Sequence, residues 1–115
     1  MSIRIEELPG MDFTDVATGK RLSPVSPGDI LQHDFMEPMK LSANALARAL
    51  GVPTNRITGI LKATRGITAD TACRLGLALG TTPEFWMNLQ TQYELEITKR
   101  TAGQQIMHEV HPLAA

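Results

Sequence analysis

Thr54, Asn55, Arg56, Thr58 and Lys62 crowd into one short stretch of this chain, and every one of them can hydrogen-bond while none is acidic. Side chains of this kind suit nucleic acid. Arginine pairs bidentately with guanine and asparagine with adenine, whereas lysine and hydroxyl groups reach phosphates. The 115-residue chain balances 11 basic against 12 acidic residues, a net charge of -1. Taken whole, that balance argues against non-specific nucleic-acid binding. Its distribution argues otherwise. Residues 38–69 hold Lys40, Arg48, Arg56, Lys62 and Arg65 with no acid, a net of +5, between flanks of -4 (residues 1–37) and -2 (residues 70–115). A phosphate-facing surface should exclude carboxylates, because like charge costs affinity. A solvated positive face is the bland alternative.

The surrounding residues position this group. In LSANALARALGVPTNRITGIL (residues 41–61), Ala47 is small where a second helix must cross the first. Gly51 supplies a turn residue able to adopt positive φ. Leu46, Leu50, Ile57, Ile60 and Leu61 form a shared apolar underside, the pattern of a helix-turn-helix. Residues opposite Ile57 and Ile60 must then point outward. This register turns Thr54, Asn55, Arg56 and Thr58 toward base edges, and Ser42, Asn44, Lys62 and Arg65 toward phosphates.

The rest of the chain reads as an all-α domain of five helices with extensions, and no segment reads as a strand. Residues 1–25 carry turn punctuation and no sustained period, and are expected to form an N-terminal arm. The domain spans residues 26–100. Ser26 caps a first helix with Pro27 at its first position, stopping near Pro38. Ser42 caps a second that ends at Gly51, and Pro53 opens a third that runs to about Ala63. Thr68 caps a fourth closed by Gly80, and Thr82-Pro83-Glu84 starts a fifth. Residues 101–115 lose helical period and read as a short tail. Leu31, Phe35, Leu46, Leu50, Ile57, Ile60, Leu75 and Leu79 suffice for a small core. Phe85, Trp86, Leu89 and Tyr93 on the fifth helix therefore either cap that core or meet a second copy of the chain. A dimer is expected on physical grounds, since one recognition helix reads too few base pairs to select a site. Two-fold pairing would set two such helices about one DNA turn, ~34 Å, apart.

Other chemistry finds little support. No apolar run is long enough to span a membrane, and the N-terminus lacks a signal core, so a cytoplasmic location is expected. The single Cys73 excludes an intrachain disulfide, and its helical context reads as a buried apolar position rather than a nucleophile. His108 and His111 form an HxxH pair, which is only two ligands. No catalytic constellation, metal site, cofactor site or phosphate loop is apparent, and the chain does not read as an enzyme.

Residues 26–100 resemble the HigA (VapI-like) antitoxins, helix-turn-helix proteins of the phage-repressor type. PGDIL…EPMKLS, RGITADTA and GTTPEFWMNLQ carry the resemblance, and the last is far more specific than a bare helix-turn-helix. It implies a lambda-repressor-like all-α fold and a homodimer on palindromic operator DNA. It also implies autorepression of a toxin–antitoxin operon and neutralisation of a HigB-type mRNA-cleaving toxin. A stand-alone repressor without a toxin partner is the alternative. Three positions depart from the family pattern. Ala43 stands where a polar residue, often Gln, reaches a phosphate, which shifts that role to Ser42, Asn44, Lys40 or backbone amides. Pro53 stands where a Ser or Thr cap is more general. Gly59 is expected on the exposed side of the third helix, where a longer side chain is common. The arm is also longer than the family's start.

Overall fold

The computed structural model describes residues 24–114, so the expected arm lies almost wholly outside the described residues. Five helices follow. Helix α1 comprises three contiguous pieces, Pro27–Ile30, a wide π turn Leu31–Met36, and Glu37–Met39. The others are α2 (Ala43–Leu50), α3 (Thr54–Leu61), α4 (Ala69–Leu79) and α5 (Pro83–Glu109). Among the described residues there is no strand, and no helix is long and apolar enough to cross a membrane.

Local chemistry accounts for the helix ends. Ser26 and Asp29 form a reciprocal capping box, with Asp29 N–H donating to Ser26 Oγ at 3.2 Å and Ser26 N–H donating to Asp29 Oδ2 at 3.4 Å. The amides of Ala45, Thr71 and Phe85 donate to Ser42, Thr68 and Thr82 at 3.0, 3.4 and 3.1 Å, capping α2, α4 and α5. Gly51 and Gly80 close α2 and α4 at φ 73° and 77°, in the left-handed region that glycine occupies without penalty. Inside α1, Pro38 has no N–H to donate, and its ring would strike the Asp34 carbonyl of a regular α-helix. The wide turn before it relieves that clash. The helix therefore runs past Pro38 to Met39 and stops where Lys40 adopts φ 56°.

Three expectations are corrected. The segment after Arg100 is not a tail: α5 continues unbroken to Glu109. No proline interrupts residues 84–111, most of Thr101–Glu109 tolerates helix well, and Arg100–Glu96 (3.2 Å) and Gln105–Glu109 (2.9 Å) pair one turn apart. The amphipathic period fades there because α5 buries only Trp86 and Gln90, so its outer half has no domain face to match. Second, Cys73 is exposed. Ala72, Leu75 and Gly76 point inward, and Cys73 falls out of phase with them. Third, the core is not complete without α5. Leu31, Leu46, Leu50, Ile57, Ile60 and Leu75 are buried as expected and Phe35 and Leu79 partly so, but Trp86 is 0% exposed and is the largest side chain among them. Its Nε1–H donates to Thr81 Oγ at 2.7 Å, which satisfies the one polar atom the ring brings inside.

Among the described glycines, Gly28 leaves the least room for a side chain. A Cβ there would overlap the Ile60 carbonyl oxygen and lie 2.9 Å from Leu61 Cα, so α1 lies directly on the end of α3.

Candidate nucleic-acid interface

Helices α2 and α3 form the bihelical motif. Ala47 is buried at their crossing, and Ile57 and Ile60 turn into the core at 0% and 2% exposure. The opposite side of α3 faces solvent. Asn55 and Lys62 are exposed, while Thr54, Arg56 and Thr58 are half-buried; Ser42, Asn44 and Arg65 are exposed around them. None of the eight sequence-predicted residues is buried. Thr54 Oγ–H donates to Asn44 Oδ1 at 2.7 Å, joining the start of α3 to the start of α2. Thr58 Oγ–H leans back onto the Asn55 carbonyl at 3.4 Å. Arg56 and Arg65 flank a surface cleft of about 250 Å³ that also meets Gly66, Thr68 and Thr71.

Arg56 is not a free cation. Its Nη1 lies 2.8 Å from Asp70 Oδ2, and the same oxygen accepts Arg74 Nε at 2.9 Å. Arg74 Nη1 donates in turn to the Leu50 carbonyl at the end of α2, 2.8 Å away. Hydrogen bonds from Arg74 and then Arg56 hold the Asp70 carboxyl below the ordinary carboxylate range. A depressed pKa stabilises the fold at neutral pH, and the contribution disappears as pH falls through the lowered value. The acid-free charge count stopped one residue short of this group. Asp70 and Arg74, four apart in a helical pattern, were the available signal.

Gly59, expected on the exposed side of α3, is half-buried, and an added Cβ would meet Arg65 Cβ at 3.1 Å. Its carbonyl accepts from the amides of Thr64 and Arg65 at 3.0 and 3.2 Å. The missing side chain makes space for the loop that carries Arg65 back over α3.

The four residues expected at a dimer contact divide. Trp86 is wholly enclosed and has no surface to offer a partner, because its ring closes the core beneath Phe35 and Phe85. Phe85 remains 37% exposed, and Leu89 and Tyr93 are half-buried. Further along α5, sequence reasoning missed exposed Ile106 and Met107, since it took residues 101–115 for a tail, and it gave exposed Leu95 no role.

Comparison with known proteins places this geometry. A helix-turn-helix family model matches residues 33–86. Virulence-associated protein I of Dichelobacter nodosus is 44% identical over 86 residues, covering 74% of this chain and 80% of that protein. An addiction-module antidote protein of the HigA family from Coxiella burnetii superposes with a TM-score of 0.73 at 48% identity, covering 79% of this chain and 99% of that one. The Pseudomonas aeruginosa antitoxin HigA, solved with the higBA promoter, superposes at 0.75 with 44% identity over 79% of this chain and 99% of that one. With its motif, helix order and likeness over most of the length of these proteins, the chain belongs to the HigA (VapI-like) family of DNA-binding helix-turn-helix antitoxins.

Proposed function

We propose that this protein binds its own operator as a homodimer, represses its operon and neutralises a HigB-type mRNA-cleaving toxin. The observation that carries the DNA part is the outward side of α3, polar along its length and edged by Lys62 and Arg65. In this reading Thr54, Asn55, Arg56 and Thr58 meet base edges, and Ser42, Asn44, Lys62 and Arg65 meet phosphates. Fluorescence anisotropy with operator and scrambled duplexes over a salt series tests it. Arg56→Ala lowers operator affinity by about 1–3 kcal/mol and relaxes preference, while Lys62→Ala weakens all duplexes alike and reduces the salt slope by about 1. An Arg56→Ala variant with unchanged operator preference contradicts the register.

The pairing reading is supported by the apolar surface that α5 leaves exposed at Phe85, Leu95, Ile106 and Met107. Light scattering at micromolar concentration should give about twice the 12.6 kDa chain mass. A monomer that still bound a palindromic site would rule out the homodimer. For the toxin, family membership is the support. Co-expression with the neighbouring reading frame should relieve that frame's toxicity and yield one co-purifying complex. Absence of any toxic neighbour would favour a stand-alone repressor.

A further inference from the structure

We propose that Asp70 is a positioning residue for Arg56, and thereby sets how strongly the interface prefers one duplex sequence over another. The inference rests on the DNA-binding reading above. Asp70 Oδ2 receives Arg56 Nη1 at 2.8 Å and Arg74 Nε at 2.9 Å, and Arg74 is itself anchored by its 2.8 Å bond to the Leu50 carbonyl. A carboxylate at the start of α4 is thus braced against the end of α2 while it grips a side chain of α3. The guanidinium is planar and carries five N–H donors. Held through Nη1, it keeps its Nε–Nη2 edge available, and two parallel donors on one edge are what a bidentate guanine contact uses. The tether removes rotamers that a free arginine would have to give up on binding, so the contact forms with less loss of freedom.

The carboxylate has a second effect. At 58% side-chain exposure its charge reaches solvent next to Arg56, and it repels the phosphates of every duplex equally. Repulsion of that kind lowers affinity without regard to sequence, whereas alignment of Arg56 acts only on the duplex that presents the right base. Asp70 therefore weakens binding in general and sharpens the choice between sequences.

The full-length protein would first select a site from a random duplex pool, and anisotropy would then compare that site with a scrambled duplex. Asp70→Asn and Asp70→Ala should raise affinity for the scrambled duplex and lower the selected-to-scrambled ratio by about tenfold. In an Arg56→Ala background, Asp70→Ala should leave that ratio unchanged to about twofold, since its effect passes through Arg56. A ratio unchanged in the single variants overturns the proposal. So does an equal fall in the Arg56→Ala background, which marks a brace of the fold. Should Asp70→Ala fail to fold, Asp70→Asn carries the test, because a neutral amide oxygen of the same size holds the two guanidinium groups far more weakly than the carboxylate does. A wild-type chain that selects no site overturns the DNA-binding reading itself, whereas intact selection with indifferent variants overturns the role of Asp70 alone.

Discussion

Replacing Trp86 with alanine should cost about 3–5 kcal/mol of stability, the range for emptying a large aromatic site in a packed core. Trp86 is 0% exposed and holds α5 against the rest of the domain. It contacts Phe35 of α1 at a ring-centroid distance of 5.2 Å and Phe85 at 4.9 Å. Its loss also leaves Thr81 Oγ without the indole donor. Against a typical domain stability of roughly 5–15 kcal/mol, the variant should populate unfolded chains at growth temperature. Urea denaturation followed by far-ultraviolet circular dichroism measures this, since the variant removes the only tryptophan. Trp86→Phe, which keeps a ring and loses the hydrogen bond, should fall between. A Trp86→Ala midpoint equal to that of the wild type would show that the ring is peripheral.

Gly28→Ala should be nearly as damaging, although it adds one methyl group. Alanine in place of glycine within a helix ordinarily gains about 0.5–1 kcal/mol. Here the new Cβ would overlap the Ile60 carbonyl and crowd Leu61 Cα, and backbone cannot swing aside as a side chain can. Helix α1 must lift off the end of α3, at a cost of about 1–3 kcal/mol or more. Gly103→Ala is the matched control, because nothing lies within 4 Å of a Cβ there and the helical gain should appear alone. Chemical denaturation of both variants should therefore shift in opposite directions. Equal shifts of the same sign would mean that α1 does not rest on α3 as described. Since α3 carries the candidate DNA face, the Gly28→Ala variant should also bind operator less tightly than Gly103→Ala does.

How much of this was legible in the sequence depended on the range of the interaction concerned. The capping roles of Ser26, Ser42, Thr68 and Thr82 and the closing roles of Gly51 and Gly80 depend on atoms a few positions away, and they appear where the residue types point. The inward turn of Ile57 and Ile60 followed from helical period. Distant contacts were hidden. Asp70 reaches Arg56 across 14 positions, and Gln90 accepts the Ile67 amide across 23, at 2.8 Å. Neither can be read from spacing along one helix. The place of Trp86 stayed open between core and partner for a related reason: aromatic content shows that a residue needs cover, and not whether the cover comes from its own chain or another. The outer half of α5 was missed because period reports burial, and a helix without a buried face has no period to report.

The wide turn in α1 makes that helix sensitive to length as well as to side-chain identity. Leu31 and Met36 are both buried although five positions separate them, a step that would put them on different sides of a regular α-helix. Deleting one residue between them would restore the regular form, but it would rotate everything upstream by about 100° and draw it in by about 1.5 Å. Gly28 would swing away from Ile60, and a side chain would arrive at a place where none fits. Loops absorb insertions and deletions because nothing downstream is phased to them. Here the proline that forces the extra residue and the glycine that needs it stand ten positions apart on one rod, so each constrains the other only while the number of residues between them is kept.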